Sequence, residues 1–150
     1  MAFIFRYDLE GLGFATAALG DGERTLELTA TFHRDSLAEF AESVVRLTEG
    51  AGAAHAVFVD EFGEHHVEFR RAAEQVALSV TRHPDASNRE LCPLGESAPV
   101  FSVSTTVTEL HSAIIAALGR LLEVHGVAGY RAKWLEHDFP LEAYRSLAGA

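Results

Sequence analysis

Apolar and polar residues alternate along several segments of this chain, and the alternation is clearest at residues 24–32. There Leu26, Leu28 and Ala30 fall on one side of a strand, while Glu27 and the threonines fall on the other. Similar strand patterns occupy residues 3–9, 14–19, 54–60, 65–70, 75–81 and 100–105. Glycines separate the first two of these segments, which are either two short strands or one long strand with a bulge.

A first helix is predicted between the third and fourth strand patterns. Ser36 and Glu39 have the spacing of a capping box, in which the serine side chain accepts a hydrogen bond from the Glu39 backbone N–H. Apolar residues then recur on one helical face, and Gly50 is expected to end the helix.

The remaining helices are predicted in the last third of the chain. Thr106 and Glu109 repeat the capping-box spacing, so a second helix is expected to begin there and to end at Gly126. A short third helix is expected over residues 129–136. A fourth is expected to begin near Pro140, because proline is tolerated in the first turn of a helix.

Strands followed by helices, without the alternation of parallel α/β proteins, predict an α+β fold. We expect an antiparallel, meander-like sheet of about six strands, with helices on one face and further helices at the C-terminus. A length of 150 residues suits one domain, so residues 1–150 are interpreted as a single α+β domain. The proline-rich stretch 83–99 is predicted to be a loop.

The net charge of −10 limits the classes of partner. Nucleic acids and anionic membranes are bound by clustered Lys and Arg, and here 22 acidic residues outnumber 12 basic ones. We therefore expect neither partner, and a basic protein is favoured instead. No apolar run approaches the roughly 20 residues of a membrane-spanning helix. With no signal-peptide pattern and one cysteine, Cys92, the cytoplasm is the expected location.

Histidines and acidic residues on adjacent predicted strands offer the ligand types that zinc and other divalent metals prefer. The candidate metal ligands are His55, His65, His66, Asp60 and Glu64. Neighbouring residues of a strand point to opposite faces, so one site can use only one of the two adjacent histidines. No spacing typical of a metal motif is present, and surface histidines are the simpler interpretation.

Catalytic and cofactor-binding patterns are missing from the sequence. Cys92 has none of the flanking residues of a catalytic cysteine, and the serines lack the Gly-x-Ser-x-Gly elbow. Gly11 and Gly13 precede a strand pattern instead of the helix that a phosphate-binding loop requires. We therefore expect no cofactor and a non-enzymatic protein, with a small metal-binding protein or enzyme as the alternative.

Tyr130 and Trp134 lie four residues apart in the predicted third helix. Tyrosine and tryptophan are frequent at the centres of protein interfaces, which makes both of them candidate contacts to a partner. The simpler interpretation is that they attach the helix to the sheet, since residues four apart share one helical face.

The layout as a whole resembles a known group of proteins. An aromatic first strand, the Gly11-x-Gly13-Phe14 break and a hairpin are followed by the segment 36–40, Ser-Leu-Ala-Glu-Phe, and by a Phe-Pro-Leu tail at 139–141. Together they resemble small uncharacterised proteins from GC-rich bacteria, some of which are similar to immunity proteins of polymorphic toxins.

The resemblance implies a protein that binds and inhibits a basic toxin. The contact surfaces it suggests are the polar strand faces and an acidic turn with Asp60, Glu61 and Glu64. The alternative is a homo-oligomeric structural protein, such as a homodimer, in which an exposed sheet face or edge pairs with itself.

Overall fold

Seven strands and three helices make up the computed structural model, which describes residues 3–60, 63–84 and 98–149. The strands are β1 (Ile4–Gly11), β2 (Phe14–Gly20), β3 (Thr25–Thr31), β4 (Ala53–Val59), β5 (Gly63–Ala72), β6 (Gln75–Pro84) and β7 (Ala98–Thr106). The helices are α1 (Ser36–Thr48), α2 (Val107–Trp134) and α3 (Leu141–Ala148). This architecture is the α+β class that the sequence predicts.

The strands form two antiparallel sheets, each with its strands in chain order. The first sheet has the order β1-β2-β3 and the second has the order β4-β5-β6-β7. The N-terminal glycine break is a turn between two strands, in which Gly13 has a φ of +80°. The interior of the predicted loop, residues 85–97 with Cys92, lies outside the described residues.

Helix α1 joins the two sheets through one aromatic side chain. Phe40 is fully buried, and its ring stacks on Phe5 of the first sheet at a centroid distance of 4.3 Å. It also meets Phe58 and Phe69 of the second sheet edge-on, at 6.3 and 5.2 Å. Aromatic pairs favour these geometries, so this helix is the centre of a core shared by both sheets.

Polar side chains of α1 hydrogen-bond to the backbone of β4, the first strand of the second sheet. Ser36 Oγ donates to the Val57 carbonyl at 2.6 Å. The single hydroxyl hydrogen of Ser43 is shared between the Glu39 carbonyl of its own helix at 2.7 Å and the His55 carbonyl at 3.1 Å. Glu39 Oε1 accepts from the Val57 N–H at 3.3 Å. The helix therefore satisfies backbone groups that an uncovered strand edge would present to other chains.

These contacts replace the predicted capping box at the start of α1. The N-cap is Asp35, and it makes no side-chain capping bond. Ser36 points to β4, while Glu39 pairs with Arg34 at 2.6 Å. The prediction is wrong here because the strand backbone offers Ser36 an acceptor that an isolated helix lacks.

The threonine half of the second capping box is confirmed, since Thr106 accepts from the Glu109 N–H at 3.1 Å. The Glu109 carboxylate accepts instead from the Thr105 hydroxyl at 3.0 Å. Gly126 breaks the helical geometry of α2 with φ 70° and ψ 173°, and the helix resumes beyond it. The predicted second and third helices are thus the two halves of α2. By length and composition α2 could cross a membrane, a property that core helices share. One face of α2 is buried in the core, where Leu110, Ile114 and Leu118 have no exposed surface.

Helix α3 folds back onto the other helices. Pro140 is its N-cap residue, and Ala143 and Leu147 are buried. His111 of α2 donates from Nε2 to the Leu147 carbonyl at 2.6 Å. This bond satisfies one of the carbonyls at the end of α3 that has no partner within the helix.

Candidate functional site

A groove of about 480 Å³ lies beside the turn between β1 and β2. We call it the hairpin groove, and its lining comes from that turn, from the end of β3 and from the residue after β4. The lining residues are Leu12, Gly13, Phe14, Thr29, Thr31, Phe32, His33 and Asp60. Leu12 is 72% exposed and Phe14 is 44% exposed, which is unusual for large apolar side chains at one place.

Backbone hydrogen bonds on both sides fix the turn that carries these apolar residues. The Gly13 N–H donates to the Lys133 carbonyl at the end of α2, and the Gly13 carbonyl accepts from the Phe32 N–H, both at 2.8 Å. A Cβ on Gly13 would lie 2.7 Å from the Phe32 ring and 3.1 Å from Leu135. Glycine therefore allows a close approach that any other residue would oppose.

The groove combines an apolar wall with polar groups. The imidazole of His33 stacks on the Phe32 ring at 4.4 Å and makes a 3.0 Å hydrogen bond with the Thr31 hydroxyl. The Asp60 carboxylate accepts from the Gly63 N–H at 2.8 Å, which holds it at the end of β4. Leu135, 40% exposed, extends the apolar wall behind Gly13.

The structure separates the residues that the sequence assigns to a partner surface. Asp60 lines the hairpin groove, whereas Glu64 is on the outer face of β5. Glu61 lies outside the described residues. Tyr130 and Trp134 have no exposed surface, because they pack in the core, and this burial removes them from any contact surface.

The histidines occupy both faces of the second sheet. His55 Nε2 lies 2.9 Å from His66 Nδ1, and His66 Nε2 lies 2.8 Å from a Glu64 oxygen. The His83 ring packs against His66 at a centroid distance of 4.2 Å. His65 points to the opposite face, as the alternation along a strand requires.

Both ring nitrogens of His66 are occupied by these neighbours. The Glu64 carboxylate accepts from Nε2–H, so in the neutral ring Nδ1 accepts from the Nε2–H of His55. Across residues 3–60, 63–84 and 98–149, no three His, Cys, Asp or Glu side chains are arranged to hold a metal ion. The candidate ligands His55, His66 and Glu64 thus form a hydrogen-bonded row without the geometry of a metal centre.

The pKa of the His65 imidazole is displaced from its usual value. Burial lowers the pKa of its imidazole, and repulsion from Arg82 and His66 lowers it further. Asp60 has the opposite effect. The imidazole is therefore held in its neutral form more strongly than a histidine in water.

Sequence reasoning missed the apolar residues of the hairpin groove. The available signal was Leu12, a large apolar residue between two glycines in a turn, where polar residues are usual. The sequence pattern correctly places Phe14 in a strand, but it does not show which face of that strand is buried.

Comparisons with known proteins add little to this geometry. No family model matches the chain, and no curated protein is significantly similar to it. One similar solved structure is described as a CdiA-CT/CdiI toxin and immunity complex from Enterobacter cloacae. The match has 11% sequence identity and a TM-score of 0.45, and covers 73% of this chain and 90% of the other. A likeness at this level does not bear on function.

Proposed function

We propose that this chain is a non-enzymatic protein-binding module and that the hairpin groove is its contact surface. The observation that carries the proposal is the exposure of Leu12 and Phe14 on either side of Gly13, whose backbone hydrogen bonds hold the turn. Exposed apolar residues beside a concave surface are typical of sites where another protein docks.

Energetic considerations support this choice. Transferring a Leu or Phe side chain from water to an apolar environment contributes about 1.5–3 kcal/mol. Because Leu12 lies in a turn fixed by Gly13 and Phe14 begins β2, a partner would bury both without first ordering the segment. The threonine hydroxyls at the end of β3 and the Asp60 carboxylate provide the polar rim that interfaces usually have.

The charge of the chain defines the partner that we propose. A net charge of −10 accelerates encounter with a basic protein, and Asp60 places an acidic group in the groove itself. A module that neutralises a basic toxin, of the immunity type, fits this combination. In that role the partner would supply an apolar side chain between Leu12 and Phe14 and a basic side chain near Asp60.

A capture experiment with matched variants tests the proposal. Tagged protein is expressed in its native cells, and co-purifying proteins are identified by mass spectrometry. The double variant L12S/F14S removes the apolar wall, while V124S removes an apolar residue of similar exposure, 65%, on α2. We expect a stoichiometric basic partner with wild type and V124S, and its loss with L12S/F14S.

Two further measurements separate the alternatives. Sedimentation at several protein concentrations distinguishes a homodimer from a complex with another protein. Co-expression of the captured partner with each variant then tests inhibition, since only wild type and V124S should restore growth if the partner is toxic. A partner retained equally by L12S/F14S, or self-association in place of a partner, contradicts the proposal.

A further inference from the structure

One threonine hydroxyl in the lining of the hairpin groove contacts two polar groups. Thr31 Oγ1 lies 3.0 Å from the carbonyl oxygen of Val59, the last residue of β4. It also lies 3.0 Å from Nδ1 of His33. A hydroxyl carries one hydrogen, and a carbonyl oxygen can only accept. Both contacts are therefore hydrogen bonds at the same time only if Thr31 donates to Val59 and accepts from His33.

This arrangement fixes the tautomer of the His33 imidazole. Nδ1 carries the hydrogen that Thr31 accepts, so in the neutral ring Nε2 has no hydrogen and presents a lone pair. Stacking on the Phe32 ring, at a centroid distance of 4.4 Å, holds the plane of the imidazole. Among residues 3–60, 63–84 and 98–149, no group hydrogen-bonds to Nε2. His33 thus offers a hydrogen-bond acceptor to a molecule in the groove.

The hairpin groove therefore combines two acceptors with an apolar wall. His33 and Asp60 both line it, and Asp60 directly follows the Val59 that anchors Thr31. An ionised carboxylate can only accept hydrogen bonds, and it attracts a positive charge. The side chain that matches this lining has an apolar stem and ends in N–H donors. Lysine and arginine have this form.

We propose that His33 Nε2 accepts a hydrogen bond from a lysine or arginine side chain of the partner, and that Thr31 is the positioning residue that keeps Nε2 unprotonated. This inference rests on the function proposed above and adds the recognition of one cationic side chain by a named atom. The stem of that side chain contacts the apolar wall, and Asp60 balances its charge. Hydrogen bonds from charged donors are stronger than those between neutral groups.

Nitrogen-15 NMR of the free protein tests the tautomer without any partner. At pH 8 histidines are ordinarily neutral, and the spectrum distinguishes the ring nitrogen that carries the hydrogen from the one that does not. We expect the hydrogen of His33 on Nδ1 in the wild-type protein and in T25V, which removes an exposed hydroxyl at the other end of β3. T31V should give a mixture of both tautomers. A hydrogen on Nε2 in the wild-type protein contradicts the proposal.

Titration with small cations tests whether Nε2 accepts from an N–H donor. The probes are n-butylammonium, which corresponds to the lysine side chain, and n-propylguanidinium, which corresponds to the arginine side chain. The matched control is n-butyltrimethylammonium, which has the same charge and stem as the first probe but no N–H group. We expect at least one of the two probes to shift the Nε2 resonance of His33 more than the control does. Equal shifts with the control and both probes contradict the proposal.

The variant H33F separates this inference from the proposed function, because it removes both ring nitrogens and keeps a ring that can stack on Phe32. We expect H33F to bind the captured partner about tenfold or more weakly than the wild-type protein, since a hydrogen bond to a charged group is lost. Unchanged affinity of H33F, with binding still lost in L12S/F14S, contradicts this inference and leaves the proposed function intact. If the wild-type protein captures no partner, the proposed function fails. The tautomer and the response to the two probes then still decide whether Nε2 is an acceptor for a cation.

Discussion

Ser36 Oγ donates a 2.6 Å hydrogen bond to the carbonyl oxygen of Val57, and both residues are buried. The bond joins the first turn of α1 to β4. We expect S36A to lower the free energy of unfolding by about 1–3 kcal/mol, because the Val57 carbonyl would stay buried without this donor. Urea denaturation measures the change. S146A, at an exposed position of α3, is the control, and equal stability of the two variants would refute the assigned role.

Phe40 is expected to contribute more to stability than any exposed phenylalanine. It is fully buried and contacts aromatic rings of both sheets, so F40A would leave a cavity at their junction. Phe→Ala changes in cores typically cost about 3–5 kcal/mol. The same change at Phe14, which is 44% exposed, should cost less than half as much. Thermal and urea denaturation of both variants provide the comparison, and similar losses would contradict this view of the core.

The α+β class could be predicted because alternation and helical spacing are local properties of the sequence. Which strands pair is not local. The meander predicted as one sheet is two sheets, because α1 occupies the β4 edge that an unbroken sheet would pair. The Gly11–Gly13 break leaves two interpretations open, and the antiparallel pairing of β1 with β2 across the break decides for two strands. Periodicity alone contains neither piece of information.

The two capping boxes show how tertiary contacts alter a local signal. Ser36 with Glu39 and Thr106 with Glu109 have the same spacing, yet only Thr106 accepts from the helix backbone. The difference is the β4 backbone beside Ser36. In the same way, the helical spacing of Tyr130 and Trp134 does not show whether these aromatic side chains are buried or exposed. The structure places Trp134 in the core.

We expect a substitution of Gly13, the glycine that lines the hairpin groove, to destabilise the fold more than the same substitution of Gly50. G13A places a methyl group 2.7 Å from the Phe32 ring in a residue with a φ of +80°. Gly50 has a φ of +107°, but an added Cβ there would have no neighbour within 4 Å. G50A therefore reports backbone strain alone, which is about 1–2 kcal/mol for a left-handed residue.

We expect G13A to lose more stability than G50A in urea denaturation and to weaken binding of the captured partner. The second effect follows because the substitution displaces the turn that presents Leu12 and Phe14. If G13A is as stable as G50A and binds the partner normally, then the close contact between Gly13 and Phe32 does not fix the groove.

His65 should make the stability of the fold depend on pH. Its pKa is lowered in the folded state by burial and by Arg82, whereas the unfolded chain titrates near the usual value of about 6.5. The unfolded state therefore binds more protons as the pH falls below about 6.5, and the folded state loses stability over that range. Above about 6.5 the histidine is neutral in both states, and its contribution is constant.

As the pH falls below about 6.5, we expect H65Q to lose less stability than the wild-type protein, because glutamine does not titrate. R82Q should also reduce this loss, but less, since repulsion from Arg82 adds to the larger effect of burial. Urea denaturation of the three proteins at several pH values between about 5 and 8 measures the slopes. If the free energy of unfolding of H65Q changes with pH as steeply as that of the wild-type protein, then the pH dependence comes from other groups.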